Sequence, residues 1–488
     1  MILTAYAQAA GPQIIQLWVG MLGTESPPTP QFFIDRQAAT PLDATAMVPI
    51  RDRQVGPNGQ PVNHRGIYRF AAADAGLPHM VAVLAGGKRC EFRTNTMPRQ
   101  VPQLLEGSFN VLLCSCYSQP EDASGLLGKI VSQIQVQPHL TVMAGDQVYM
   151  DLPLFENLPQ KEPALSQVLG DKYLRNWASD ALGVPGLEPV LTRAPVVNVP
   201  DDHEFWNNFP FPQKQLPNTW DKTIRARWET AAQALYEDYQ LAGDADQAGA
   251  TRLDVSPLRM LFVDMRCRRD EMFQQLMNPQ AEAAVTNWVK DLLDDKAAGR
   301  PAVGVLSSGQ ALFIDPPKEE SKKRDVDAEM GNYAQFSFVQ KALGELADKG
   351  VPVVYLTGDV HWGRVASGED QLNQNRKLLY EVISSPSRLI RVPFLDAAKE
   401  SANAVKGIFG KKDPWPRHSD PEKVPDFFGT NRRFRLKCEF MRRGDQVAML
   451  SFARAGTGVD FQVSYYAIHP DKSISKSDTR GPYQLRAT

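Results

Sequence analysis

The sequence lacks the features that mark several large classes of protein. Its 488 residues contain no run approaching the roughly 18 uncharged apolar residues that a membrane-spanning helix needs. Its five cysteines are an odd and sparse set, which excludes a disulfide framework. With 54 Lys and Arg against 56 Asp and Glu, the net charge of −2 argues against extended nucleic-acid binding and against a polybasic membrane surface. Composition thus excludes classes of protein and selects none.

The N-terminal sequence MILTAYAQAAGPQ also lacks the basic start and apolar core of a secretory signal. We therefore expect a cytoplasmic protein, although export remains compatible with the sequence if a leader has been removed. Nothing in the sequence indicates an oligomeric state.

The length predicts more than one domain, because single hydrophobic cores stop growing at about 250–300 residues. Residues 1–100 carry short apolar runs separated by Pro, Gly, Asn and Asp, as in TESPPTP and VGPNGQP. Such runs predict a small N-terminal all-β domain with a sandwich-like arrangement. Residues 101–488 then form the second predicted domain.

From about residue 105 the pattern changes to continuous apolar runs that alternate with amphipathic stretches. Runs of this kind suit strands buried on both faces, and the alternation predicts an α/β layered fold. The runs are Phe109–Cys114, Leu140–Ala144, Val196–Val199, Met260–Val263, Val303–Leu306, Val353–Thr357 and Leu379–Ile383. The Pro-rich segment 401–433 is predicted to be a surface loop and is a candidate lid. Residues 434–468 are predicted to form a meander in which RRGD makes a hairpin turn.

Four of the buried-type runs end in side chains that can bind a metal ion. These side chains are Cys116; Asp146 and Tyr149; Asp202 and His203; and Asp359 and His361. Ligands bind at the carboxyl ends of strands in open α/β sheets. If the four strands are parallel neighbours, their ends converge on one site.

Carboxylates gathered this closely repel one another and need cations to neutralise them. Two metal ions bridged by Asp146 are the economical solution, and such a pair can clamp a phosphoryl group and activate water. Thiolate, phenolate and imidazole ligands favour a transition ion, whereas carboxylate and amide oxygens favour a harder ion. The pattern therefore indicates hydrolysis of phosphate esters.

Each motif has an ordinary structural interpretation when it stands alone. Gly-Asp after a strand is common in turns, DDHE can cap a helix, and Cys114 and Cys116 can be buried core thiols. The joint occurrence of the four strand ends, in this order, is what favours a metal site.

These residues resemble the alkaline phosphatase D (PhoD-like) family of calcineurin-like metallophosphoesterases. The resemblance rests on GDQVYMD, on DDHE followed by Asn207 and Asn208, and on LTGDVH, with VLLCSC and FVDMRCRR as further matches. It implies a metallophosphoesterase-type layered β-sandwich flanked by helices. The chain departs from the generic superfamily motifs at Cys116, Tyr149, Asp202 and Asp359, and these departures agree with the PhoD-like branch.

The resemblance also implies a set of metal ligands. GDxxY occurs in purple acid phosphatases as well, where it implies a tyrosinate on Fe(III). We therefore predict Fe(III) bound by Cys116, Asp146, Tyr149 and His361. A second, divalent ion is predicted on Asp146, Asp359 and an oxygen of Asp202 or Asn208. Ca²⁺ is the expected second ion, with Mn²⁺, Mg²⁺ and Zn²⁺ as alternatives.

Two further residues are candidates for catalysis. His203 is predicted to protonate the leaving oxygen or to orient the phosphate, with a purely supporting hydrogen bond as the alternative. Arg266 is predicted to contact phosphate, because a guanidinium matches phosphate oxygens, or else to pair with a carboxylate.

The predicted function is metal-dependent hydrolysis of small-molecule phosphate monoesters or diesters, a choice that the sequence does not fix. The alternatives are a catalytically silent metal-binding or scaffold protein of the same fold, and a nuclease.

Overall fold

The computed structural model describes residues 1–152, 158–213, 216–241, 249–313, 330–371, 373–374, 376–388, 434–469 and 478–487. The candidate lid at residues 401–433 lies outside these ranges. No helix within them is long and apolar enough to cross a membrane.

Helices and strands alternate through the middle of the chain. The strands are β1 (Ile2–Gln8), β2 (Ile14–Leu22), β3 (Gln31–Ile34), β4 (Gln37–Ala39), β5 (Val48–Pro49), β6 (Asn63–Ala71), β7 (Pro78–Ala85), β8 (Lys88–Asn95), β9 (Phe109–Cys114), β10 (Leu140–Ala144), β11 (Val196–Val199), β12 (Ala250–Val255), β13 (Leu258–Val263), β14 (Val303–Ser307), β15 (Val353–Thr357), β16 (Gly363–Asp370), β17 (Arg376–Ile383), β18 (Phe434–Arg442), β19 (Gln446–Ala455), β20 (Gly458–Ala467) and β21 (Asp478–Leu485). The helices are α1 (Leu126–Gln133), α2 (Ala164–Trp177), α3 (Ser179–Leu182), α4 (Glu188–Leu191), α5 (Lys222–Tyr239), α6 (Pro279–Ala297) and α7 (Phe336–Asp348).

Two large sheets pack face to face. In the described residues one sheet has the order β21-β20-β19-β9-β10-β11-β1-β2-β6-β5, and the other has the order β12-β13-β14-β15-β17-β16-β18. Side chains such as Val111, Val142, Val305 and Val354 fill the space between them. Helices α1, α2, α4 and α5 cover the outer face of the first sheet, and α6 and α7 cover that of the second. The predicted layered β-sandwich flanked by helices is confirmed.

The N-terminal region is rich in strands, as expected. Its small sheet β4-β3-β7-β8 packs against β1, β2 and β6 through a separate apolar cluster that includes Leu17 and Val83. Strand β1 also pairs in parallel with β11 through Gln8 and Val196, so these first strands extend the large sheet. The domain boundary near residue 100 stays a prediction.

Two expectations about strand partners were wrong. Strands β9, β10 and β11 are parallel neighbours, but β15, which precedes Asp359, pairs with β14 and β17 in the facing sheet. The RRGD segment is not a hairpin, because β18 pairs with β16 in one sheet and β19 pairs with β9 in the other. An apolar pattern shows that a strand is buried; it does not show which strand is its neighbour.

Candidate metal centre

The carboxyl ends of strands from both sheets meet at one place, and glycine makes this approach possible. A Cβ atom on Gly358, just after β15, would lie 2.4 Å from the carbonyl oxygen of Ala144 at the end of β10. It would lie equally close to the side chain of Ser115, just after β9. The end of β15 therefore reaches the ends of β9 and β10 although it belongs to the other sheet.

The predicted ligands share an uncommon backbone conformation. Cys116, Asp146, Asn208, Asp359 and His361 have φ angles of 53°, 57°, 65°, 68° and 59°. A residue with a Cβ atom adopts this left-handed region at a cost of roughly 1–2 kcal/mol. Such conformations persist where the surrounding structure fixes them, and they cluster at functional sites. Five of the seven predicted metal ligands carry this strain.

Asp146, Asp202 and His203 form a compact buried group. Potential ligand atoms of the three side chains lie within 4.8 Å of one another. The backbone N–H of His203 donates to Asp146 Oδ1 at 3.2 Å, and that of Asn208 donates to Asp202 Oδ2 at 2.6 Å. Burial raises the pKa of Asp146 well above its usual value, and the nearby carboxylates add to this while His203 opposes it. A bound cation would relieve this repulsion.

Cys116 and Tyr149 lie beside this group. The thiol of Cys116 is 3.4 Å from Asp146 Oδ2, and the ring of Tyr149 lies 4.2 Å from that of His203. Burial, followed by Asp146, raises the pKa of Cys116 well above its usual value. Burial, followed by Cys116 and Asp146, does the same to the pKa of Tyr149. Neither group would ionise here near neutral pH without a neighbouring cation.

Asp359 and His361 join the centre through Cys116. Cys116 Sγ lies 3.8 Å from the carbonyl oxygen of Asp359. Ser385 donates its hydroxyl to Cys116 Sγ at 3.1 Å and accepts the backbone N–H of His361 at 3.2 Å. One serine after β17 therefore connects two of the predicted iron ligands.

Arg266 and Glu204 hold the loops of the centre together. Arg266 is 1% exposed, and its guanidinium lies 3.0 Å from Asp202 Oδ2 and 3.6 Å from Asp201 Oδ1. The carboxylate of Glu204 accepts the backbone N–H groups of Asp146, Gln147 and Asp201 at 3.0, 2.7 and 2.9 Å. The carboxylate-pairing alternative for Arg266 therefore has direct contacts in the structure.

The residues present suit metal ions. The buried Tyr149 Oη and Asn208 Oδ1 have no hydrogen-bond partner among the described residues. Buried polar atoms are normally paired, so two unpaired oxygens beside buried carboxylates fit a role as metal ligands. Thiol, phenol, carboxylate and amide donors together fit one softer and one harder ion.

Comparison with known proteins shows the family of the chain. The family model for PhoD-like phosphatase matches residues 109–390, which is more than half of the chain. The chain belongs to the PhoD-like phosphatase family. This membership supports a phosphoester hydrolase that depends on metal and acts on small-molecule phosphate esters. No curated protein sequence matches the chain.

A solved structure shares the fold of this PhoD-like chain. A structure described as "Structure of PhoD" is similar at a TM-score of 0.58 and 12% identity, covering 99% of this chain and 92% of that one. A second, "GAP50 the anchor in the inner membrane complex of Plasmodium", has a TM-score of 0.34 at 10% identity, covering 78% of this chain and 90% of that one.

Two residues at the centre have no predicted role from the sequence. Asp151 closes the GDQVYMD motif, and its buried carboxylate lies 2.8 Å from Nδ1 of His203. Ser385 follows the weakest of the apolar runs. The position of Asp151 in the motif was a usable signal, whereas Ser385 had none.

The nine predicted site residues all lie in one set connected by contacts.

Proposed function

We propose that this PhoD-like chain hydrolyses phosphate monoesters or diesters at a centre of two metal ions. The observation that carries the proposal is the buried group of Asp146, Asp202 and His203 at the meeting point of the two sheets. Membership of the PhoD-like family supports the reaction class.

In this proposal Cys116, Asp146, Tyr149 and His361 hold Fe(III). Asp146, Asp359 and an oxygen of Asp202 or Asn208 hold a divalent ion, with Ca²⁺ as the expected one. When bound, the two ions supply the positive charge that activates water and neutralises the phosphoryl oxygens.

His203 donates a proton to the leaving oxygen in this mechanism. Burial would lower the pKa of His203, but Asp151, Asp202 and Asp146 outweigh it and raise that pKa well above its usual value. Asp151 is the largest of these contributions and is not a predicted metal ligand, so its carboxylate favours the protonated imidazole. Asp151 holds Nδ1, which leaves Nε2 as the nitrogen available to donate a proton.

Arg266 orients Asp202 and Asp201 through the ion pairs described above. A direct contact between its guanidinium and substrate phosphate remains a prediction. The buried position of Arg266 favours the positioning role, because both of its carboxylate partners are already within 3.6 Å.

Elemental analysis and a substrate panel test the proposal together. Protein purified without chelator should contain iron and a second metal, and should hydrolyse p-nitrophenyl phosphate or bis-p-nitrophenyl phosphate. Asp146→Asn should lose metal and activity, whereas Asp171→Asn on the exposed face of α2 should retain both. Metal-free protein with full activity in EDTA would overturn the proposal, and metal loading without turnover of any ester would favour a silent binding protein.

A further inference from the structure

An aromatic cluster lies where the loops that follow β11 and β13 meet the segment that precedes α7. The ring of Phe273 lies 4.8 Å from that of Phe211 and 5.2 Å from that of Tyr333. The guanidinium of Arg269 lies 5.1 Å from the ring centre of Tyr333. Phe211 and Tyr333 are buried, but Phe273 is partly exposed and the adjacent Met272 is 74% exposed. The cluster therefore presents an aromatic ring at the protein surface.

The same loops carry the candidate metal centre. The backbone N–H of Phe211 donates to the carbonyl oxygen of Asn208 at 2.9 Å. Arg269 follows three residues after Arg266, which pairs with Asp202, and the backbone N–H of Arg269 donates to the carbonyl oxygen of Arg266 at 3.2 Å. The aromatic cluster is thus joined to the centre by two short stretches of chain.

Phe273 is held at the surface at a conformational cost. Its φ angle is 57°, a left-handed value that is unfavourable for a bulky side chain. The carboxylate of Asp270 accepts the backbone N–H groups of Met272, Gln274 and Gln275 at 3.0, 2.9 and 3.2 Å. The carbonyl oxygen of Phe273 accepts the N–H of Ala334 at 2.8 Å. Four hydrogen bonds therefore fix the turn that displays this ring.

We propose that Phe273 is a specificity-determining residue that binds an aromatic leaving group of the phosphate ester. The inference rests on the proposed function, because it places the phosphate at the metal centre. The organic group of the ester then extends from the acidic centre toward solvent, and the partly exposed ring of Phe273 offers it an offset-stacked or edge-to-face contact. Arg225 joins the two loops beside this ring, because it donates to the carbonyl oxygen of Thr219 and to the carboxylate of Glu271.

Binding of two phosphonates tests the proposal without any turnover. Phenylphosphonate and methylphosphonate share the anionic group and carry a phosphorus–carbon bond that replaces the scissile ester. Calorimetry on the full metal-loaded chain should show about three- to tenfold tighter binding of phenylphosphonate, the range expected for one aromatic pair. Phe273→Leu, which keeps an apolar side chain, should abolish most of this preference. Phe273→Ala should abolish it entirely, and Leu105→Ala, at a fully exposed apolar residue elsewhere, should preserve it.

The outcomes separate the two proposals. Equal binding of both phosphonates to the unaltered chain, or an unchanged preference in Phe273→Leu, would overturn the role of Phe273 even if esters are hydrolysed. A preference that depends on Phe273, without hydrolysis of any ester, would support the aromatic subsite and count against the proposed reaction. Binding of neither phosphonate would also overturn the role of Phe273, while the ester panel would decide the proposed reaction separately.

Discussion

Nδ1 of His203 lies 2.8 Å from Oδ1 of Asp151, and the other oxygen of that carboxylate accepts the backbone N–H of Asn207 at 3.0 Å. Asp151 is fully buried. Burial alone would raise its pKa, but His203 outweighs that effect and lowers it, so the carboxylate is ionised. One buried charge thus fixes both the imidazole and the turn that leads to Asn208.

Replacement of Asp151 should therefore affect protonation of the leaving group. Asp151→Asn removes the charge and keeps the shape, so we expect turnover of alkyl phosphates to fall about 10- to 100-fold. p-Nitrophenyl phosphate should fall much less, because nitrophenolate leaves readily without a proton. Steady-state kinetics on both esters measures the difference, with Asp171→Asn as the control. An equal loss on the two esters would contradict a role in protonation.

The two thiols at the end of β9 should differ in their effect on metal content. Cys114 and Cys116 are both buried, but Cys116 lies beside Asp146 while Cys114 belongs to the apolar core. Cys116→Ser should lower the iron content severalfold and weaken any visible charge-transfer absorption. Tyr149→Phe should abolish that absorption, because the phenolate is its predicted source. Cys114→Ser should leave both unchanged. Elemental analysis and absorption spectra measure these effects, and equal iron loss in the two serine variants would refute the assignment.

Gly358 should be intolerant of a side chain. A methyl group there would meet the carbonyl oxygen of Ala144 and the side chain of Ser115, so β15 must move away from the other strand ends. We expect Gly358→Ala to lower the free energy of unfolding by about 1–3 kcal/mol and to reduce metal binding. Denaturant titration and metal analysis measure the two effects. Gly11→Ala, where nothing lies within 4 Å, is the matched control. A Gly358→Ala protein with normal stability and metal content would show that the two sheets do not meet here.

Glu188 should make the stability of the protein depend on pH. Its carboxyl group accepts hydrogen bonds from the hydroxyl of Thr4 at 3.0 Å and from the backbone N–H of Asp180 at 2.8 Å. Burial raises the pKa of this group from 4.5 to about 7. The folded state then binds the proton more tightly than the unfolded state. The free energy of unfolding should therefore fall by about 3 kcal/mol as the pH rises from 4.5 to 7, and level off above that.

Glu188→Gln should flatten this dependence, whereas Glu345→Gln on the exposed face of α7 should preserve it. Urea titrations at pH 5, 6, 7 and 8 provide the measurement. An identical slope in Glu188→Gln and the unaltered chain would assign the pH dependence to other groups.

Much of the fold was predictable because buried strands have a simple signature. The runs at Leu140–Ala144 and Val353–Thr357 are strands with those bounds, since strands covered on both faces need apolar residues throughout. Helix α2 carries no prediction from the sequence, although its buried residues Leu165, Leu169, Tyr173 and Trp177 recur at helical spacing. The partner of each strand was not predictable, because pairing such as that of β1 with β11 joins distant parts of the chain.

The chemical groups of the centre are readable from the sequence: a thiol, a phenol, imidazoles and carboxylates, each after an apolar run. That strands of two sheets, not one, bring these groups together follows from the folded structure alone. It also decided that Asp151 supports His203 and that Arg266 pairs with Asp202. The reason is physical: apolar periodicity records whether a side chain is buried, whereas the contacts between polar side chains depend on loop conformations. Here those loops place Cys116, Asp146 and Asp359, which are not glycines, in the left-handed backbone region.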